Sequence, residues 1–276
     1  GGSGEKMSDE KEKLIVFHAD LDNTLIYSWK HEIGEEKTCV EVYEGRELSF
    51  MTGQSSSLLK KVRKKTLFVP VTTRTREQYE RIRLGTGIPE YALVCNGGVL
   101  LKDGKELTDW YEESLRLTEK SRREFGRAGS CMQEDCSRIL EVRNIRNLFL
   151  FTKSREPDRM VKRLKDRLDP ALMDVFSNGS KVYALPKGLD KGTAVRRFKG
   201  YIKADLVLAA GDSEFDLPML QTADRSWAPE GLVKRHLSGT RVTGVPDGRV
   251  FSDVLLEGVC REVFERGIGR TLLKEK

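Results

Sequence analysis

Asp20 and Asp22 stand two residues apart in Asp20-Leu21-Asp22-Asn23-Thr24, and a second acidic segment, Gly211-Asp212-Ser213-Glu214-Phe215-Asp216, lies far downstream. Between them come Thr72-Thr73-Arg74 and Lys191. Carboxylates, an ammonium and small hydroxyls are the groups that phosphoryl transfer through an aspartate needs. A carboxylate can attack phosphorus and form an aspartyl-phosphate. Two anions must approach each other in that step, so a hard cation is required. Asp20 and Asp212 could hold Mg²⁺ through oxygen ligands while it keeps some waters. Asp22 could protonate the leaving oxygen and later activate water. Thr72 could hydrogen-bond a phosphoryl oxygen, and Lys191 could neutralise developing charge. Each piece alone has a plainer reading: a capped turn for the acidic pair, a β-branched strand end for Thr72-Thr73, a solvated surface group for Lys191. The order of all four is what carries the signal.

Such groups need elements that bring them together. Leu14–Ala19 is a short apolar run, read as a strand buried on both faces, and the acidic pair follows it at once. Leu67–Thr72 is a second such run, and Leu206–Ala210 another. Tyr91–Cys95 is also a strand candidate, ending in Asn96-Gly97-Gly98. In open parallel sheets, ligands bind beyond the carboxyl ends of the strands, where three of the polar clusters fall. Helices are expected over 55–65, 75–84, 190–199, 214–221 and 251–266, and short strands over 225–228 and 241–243. Thr38–Met51 alternates around Glu44-Gly45 and predicts a β-hairpin.

The rhythm changes between residues 99 and 186. A hairpin is expected around Lys102-Asp103-Gly104-Lys105 and a charged helix over 119–127. A strand at 148–153, a proline-opened helix at 157–168 and a hairpin turning at Asn178-Gly179 follow. The expected fold is α/β: a Rossmann-like parallel sheet core with an inserted α+β cap domain. The core would comprise 12–98 and 187–268, and the cap 99–186. Residues 1–11, opening Gly1-Gly2-Ser3-Gly4, have the composition of a linker or disordered terminus, and Lys274–Lys276 of a solvated tail.

Composition narrows the function classes. Of 276 residues, 38% are hydrophobic and 33% charged, enough for a real core. Forty-nine Lys and Arg against 43 Asp and Glu leave a net charge of +6, which suits an anionic ligand without establishing one. No apolar run approaches the ~20 residues of a membrane helix, and no signal-peptide core follows the N-terminus. Five cysteines, an odd and sparse set, fit reduced thiols in a cytoplasmic protein. Cys131 and Cys136 have neither a second pair nor a nearby histidine, so zinc is not expected.

The motif order resembles the haloacid dehalogenase superfamily, and more closely its Cof-like phosphatases, whose cap lies between the second and third motifs. Sucrose-phosphate and mannosyl-phosphoglycerate phosphatases share that plan. The resemblance spans about residues 13 to 266. It implies Asp20 as nucleophile, Asp22 as acid/base, Thr72 as the second motif and Lys191 as the third. Lys187, in a loop, competes for that last role, but Lys191 fits the start of a helix facing the site. Magnesium would be held by Asp20, the Asp22 backbone carbonyl and Asp212, with Asp216 in support. Thr73, Arg74 and Asn96 would meet substrate. Three features depart from the family: Phe215 stands where asparagine is usual, Thr73 where glycine is usual, and the Thr38–Met51 stretch is long enough to be a second lid.

The expected activity is therefore Mg²⁺-dependent hydrolysis of a small phosphate monoester, a sugar phosphate or similar metabolite. A phosphomutase, or a phosphatase acting on a nucleotide or nucleic-acid phosphate, is the alternative. Asp22 argues against a dehalogenase, which lacks that carboxylate. Residues 99–186 contain 18 Lys and Arg and 15 Asp and Glu, a mixed surface rather than a basic stripe, so a nucleic-acid module is not expected. Specificity should come from the cap and from Thr38–Met51, because inserts carry recognition on a fixed scaffold.

Overall fold

In the computed structural model, which describes residues 12–265, β1 (Ile15–Ala19) is an inner strand, next to one edge, of a five-stranded parallel sheet. The expectations for residues 1–11 and 266–276 lie outside the described residues. The short β2 (Tyr27–Ser28) follows, then the hairpin of β3 (Lys37–Tyr43) and β4 (Arg46–Thr52), turning at Glu44-Gly45, where both residues have positive φ. Helix α1 (Gly53–Val62), capped by Thr52, leads to β5 (Leu67–Pro70) beside β1. Pro70 is tolerated because β5 ends the parallel ladder.

Helix α2 (Arg76–Glu80) is shorter than the expected 75–84. Residues beyond it turn toward the hairpin instead: Ile82 bridges Glu41, and the Arg83 N–H donates to the Val40 carbonyl at 2.7 Å. The expected strand at 91–95 is β6 (Tyr91–Val94), which touches the parallel sheet only through a Val71–Leu93 bridge. Its own ladder is antiparallel, to β7 (Val99–Lys102) and on to β8 (Lys105–Glu106). Helix α3 (Thr108–Leu117) then lies on the core. Its Trp110 donates to the Gly97 carbonyl at 2.9 Å and its Ser114 to the Gly98 carbonyl at 2.7 Å. Residues 99–117, assigned to the cap from sequence, thus pair with β6 and pack on the core.

The separate sheet comes after. Helix α4 (Arg122–Glu134), longer than the expected 119–127, precedes β9 (Arg143–Ile145), β10 (Phe149–Lys153), α5 (Pro157–Arg167), β11 (Met173–Asn178) and β12 (Lys181–Pro186). The four strands form an antiparallel sheet in the order β11-β12-β10-β9. One face packs on α4 and α5 through Leu150, Val175 and Val182. The other, bearing Phe149 and Tyr183, joins the main core cluster. The period-2 alternation of buried side chains gives the sheet these two faces.

The chain then returns to the core with α6 (Lys191–Ile202), β13 (Leu206–Ala210), α7 (Leu217–Thr222), β14 (Arg225–Pro229), α8 (Glu230–His236), β15 (Val242–Val245) and α9 (Phe251–Cys260). The parallel order is β15-β14-β13-β1-β5. The single helix expected over 214–221 is split: a 3₁₀ turn, Glu214–Asp216, precedes α7, with Pro218 near the new start. All the residues of β13 and most of β1 are buried, as their unbroken apolar runs require.

Candidate active site

The ends of β1 and β13 meet where the Asp20 N–H donates to the Ala210 carbonyl at 3.0 Å. Beyond that bond the chain turns tightly. The Leu21 carbonyl accepts from Thr24, Leu25 and Ile26, and Asn23 takes a positive φ of 63°. Across the turn, Thr24 Oγ1 donates to Asp212 Oδ1 at 3.2 Å, joining the two acidic segments.

Lys191 enters from α6. Asp190 caps that helix by accepting from the Thr193 N–H at 2.7 Å, which points the first helical residue into the site. Gly192 lets α6 approach α7, since a Cβ there would stand 2.7 Å from the Pro218 carbonyl oxygen. Lys191, only 1% exposed, donates to Asp20 Oδ1 at 3.1 Å and to Asp216 Oδ1 at 2.7 Å. Lys187, by contrast, is half-exposed and pairs with Asp174 at 2.9 Å.

Asp216 is fully buried and organises the loop after β13. Its Oδ2 accepts from the backbone N–H groups of Asp212 at 2.9 Å and Ser213 at 3.1 Å. Gly211 is needed for this contact, because a Cβ would fall 2.4 Å from the Asp216 Cβ. Carboxylate oxygens of Asp20, Asp212 and Asp216 lie within 4.8 Å of one another.

Three carboxylates face one ammonium in a buried place. Burial, and next the Asp216 charge, push the Asp20 carboxyl well above the usual range. The same causes push Asp212 up to about 7. Burial opposes the Lys191 charge, but Asp20 and Asp216 more than offset it and keep the ammonium protonated. The set therefore holds more carboxyl groups than one ammonium can balance once ionised, all of them hard oxygen donors, and a divalent cation of the Mg²⁺ type fits it. Asp216 is committed to Lys191 and the loop, so Asp20 and Asp212 are the carboxylates with ligand capacity to spare.

Thr72 sits beside Asp20: the Val71 N–H donates to the Ala19 carbonyl at 2.9 Å, and Thr72 and Asp20 are the next residues on each side. Thr72 is buried, and its Oγ1 accepts from the Arg74 N–H at 3.1 Å. Asn96 is 3% exposed; its Nδ2 donates to the Leu189 carbonyl at 3.1 Å, tying the two stretches that connect core and insert, while its Oδ1 has no protein partner among the described residues. It lines a different cleft from that of Asp22 and Arg74.

Asp22 faces the open side. It holds Arg74 in a bidentate pair, Nε to Oδ2 at 2.7 Å and Nη2 to Oδ1 at 2.8 Å. Glu41, 3% exposed, accepts from the same guanidinium at 2.7 and 3.1 Å, from Arg81 at 3.1 Å and from Ser49 at 2.7 Å. Burial opposes the Arg74 charge, and Asp22 and Glu41 overcome it. Sequence reasoning did not single out Glu41. Register shifts around Glu41 in β3 turn its side chain inward, and such a bulge leaves no mark in the residue types. Nor did it single out Lys181, which with Thr73, Phe151 and Tyr183 lines a cleft of about 440 Å³ over Asp22 and Arg74. The site thus brings Asp20, Asp22, Thr72, Lys191, Asp212 and Asp216 to one end of the sheet. It can hold a cation and an anion side by side, with a carboxylate facing each.

No curated protein sequence matches the chain. Among solved structures it is similar to the sucrose-phosphatase of Synechocystis in complex with sucrose and phosphate, at 16% identity, 91% of this chain, 98% of that one and a TM-score of 0.61. It is similar to the IMP-nucleotidase of Plasmodium falciparum at 12% identity, over 90% of this chain and 70% of that one, with a TM-score of 0.56. A haloalkanoate-superfamily phosphatase from Bacteroides thetaiotaomicron matches at 14% identity, over 93% and 100% of the two chains, with a TM-score of 0.53. These likenesses concern the fold. A family model for haloacid dehalogenase-like hydrolases matches residues 106–230. That segment, similar to the family over less than half of the chain, carries Lys191 and the whole Gly211–Asp216 loop, two of the parts that make the site.

Proposed function

We propose that the protein is a Mg²⁺-dependent phosphatase that hydrolyses a small phosphate monoester through an aspartyl-phosphate on Asp20. The observation that carries this reading is the buried Lys191 bridge between Asp20 and Asp216 at the carboxyl end of the sheet. It fixes one oxygen of Asp20, and the other would be the one to attack phosphorus. Asp20 and Asp212, with the Asp22 backbone carbonyl, would hold Mg²⁺, which when bound screens the repulsion between carboxylate and phosphate.

The chain's own groups supply the remainder. Lys191 remains charged and balances the charge that builds on the phosphoryl oxygens. Thr72 and the backbone beyond it orient those oxygens. Asp22, on the open side of the cleft, gives a proton to the leaving oxygen and later takes one from water. To do so it must leave its pair with Arg74, which Glu41 continues to hold. Thr73, Arg74 and, from the second cleft, Asn96 would contact the substrate or position those that do. The insert's aromatic face covers one side of the cleft and limits the access of bulk water to it.

Asp20→Asn tests the assignment. The amide keeps the shape but is a poor nucleophile and a weaker ligand. Phosphate release should fall by at least about 10³-fold, with an unchanged cooperative melt. Wild-type-like turnover by a cleanly purified, folded Asp20→Asn protein would remove Asp20 from its role.

A further inference from the structure

We propose that the substrate carries a second anionic group besides the scissile phosphate, and that the cap sheet reads it through Lys181, flanked by Lys153 and Arg143. This rests on the phosphatase reading above and adds a substrate class to it.

The register of the cap sheet places the charges. Lys181 of β12 lies directly opposite Lys153 of β10, and Arg143 of β9 opposite Phe151. Directly opposed residues of an antiparallel pair share a face, and like charges so placed destabilise it. The Lys181 ammonium and the Arg143 guanidinium each stand 5.9 Å from the centre of the Phe151 ring. Two cations therefore flank one aromatic side chain, with Lys153 opposite Lys181, and of the three Lys181 is the one that lines the cleft.

Their counter-charges are few. Arg143 meets only Glu141, at 3.3 Å on the exposed rim, and neither Lys153 nor Lys181 has an ion-pair partner among the described residues. The arginines across the cleft differ: Arg74 and Arg81 are both bonded to Glu41, and Arg74 also to Asp22. Of the cations lining the cleft, Lys181 from the cap side and Lys30 from the core side have no ion pair among the described residues, and Lys181 is the one beside Phe151 and Tyr183. Partial loss of water and the neighbouring Lys153 lower the Lys181 pKa, and the Asp22 charge offsets them only in part.

The site geometry says which part of a substrate meets these cations. Asp22 must reach the leaving oxygen, and Lys181 lines the same cleft as Asp22. The leaving group thus lies between Asp22 and the cap sheet. Phe151 and Tyr183, stacked with centroids 5.7 Å apart, offer it an apolar floor. An anion on that leaving group would neutralise the opposed lysines and be drawn in by their field. A phosphate and a carboxylate share this chemistry.

Purified protein is assayed for phosphate release from glucose 6-phosphate, glucose 1,6-bisphosphate and 6-phosphogluconate, with para-nitrophenyl phosphate as the generic ester. At least one of the doubly anionic sugars should exceed glucose 6-phosphate by about tenfold or more in kcat/KM. The bisphosphate and the phosphogluconate separate a phosphate from a carboxylate as the anion read. Lys181→Met should bring that ratio close to one, Lys181→Arg should keep it, and Lys153→Met should reduce it. Equal kcat/KM for all three sugars overturns the proposal. So does a preference that survives both methionine variants in proteins that melt like the wild type. No phosphate from any of the four esters overturns the phosphatase reading, and this proposal with it.

Discussion

Asp212, held up to about 7 by burial and the Asp216 charge, is partly protonated near neutrality when no cation is present. A divalent ion must displace that proton. Titrating Mg²⁺ at about pH 6, in two buffers of different ionisation enthalpy, should show net proton release that shrinks well above pH 7. A release of zero at the lower pH would contradict the assigned carboxylates. His18 gives a second pH signature. It is fully buried in β1, with Nδ1 3.0 Å from the Val69 carbonyl, and burial lowers its pKa from 6.5 to about 4. The fold thus favours the neutral ring. Its stabilisation is complete above 6.5 and is lost as pH falls toward 4, on the order of 3 kcal/mol. The raised Asp20 and Asp212 carboxyls act with the opposite sign, gaining stability as pH falls through their range. Comparison with His18→Leu isolates the histidine: the variant's Tm should fall less steeply between pH 6.5 and 4. Parallel slopes would show that His18 titrates normally. Of the side chains that the structure brings together, the acidic ones drew notice in sequence because carboxylates are unusual directly after apolar strands. Glu41 and Lys181 were not, since a glutamate and a lysine in amphipathic strands look like solvated surface.

At the scale of elements, Phe215 shows how a departure in residue type becomes a packing device. Its ring sits in the loop after β13 and meets Phe176 at 4.3 Å and Tyr183 at 4.7 Å, both edge-on and both from the cap sheet. An asparagine there could make a polar contact but could not fill that space. Phe215→Ala should destabilise by about 3 kcal/mol, and hydrogen exchange in β11 and β12 should rise more than in β1. Uniform exchange across both sheets would mean that Phe215 does not hold the cap face down. The hairpin β3–β4 contributes differently, since its bulge carries Glu41 to Arg74. Strands that are apolar throughout, β5 and β13, or apolar but for His18, β1, were legible because nothing but burial on two faces explains them. Helix α2 was overestimated because Ile82 and Arg83 pair with the hairpin, a long-range bond that local periodicity does not record. Helices α3 and α8 escaped notice, the first behind a hairpin, the second only seven residues long.

At the scale of the molecule, two sheets share one core cluster: Phe17 and Leu208 of the parallel sheet with Phe149 and Tyr183 of the cap sheet. The α/β core with an inserted α+β unit was legible from the change of rhythm near residue 99 and its return after Pro186. The start of the separate sheet was not, because β7, β8 and α3 continue the insert in sequence while packing on the core. The chemistry proposed for this fold depends on Asp20 more than on any other group. The most direct test mixes wild-type protein, Mg²⁺ and para-nitrophenyl phosphate, quenches in acid during turnover and reduces with borohydride, which converts an acyl phosphate to the alcohol. Peptide mapping should find homoserine in place of aspartate at position 20, only when substrate is present. An unmodified Asp20 in samples that release phosphate, or homoserine at position 22 or 212 instead, would contradict the account.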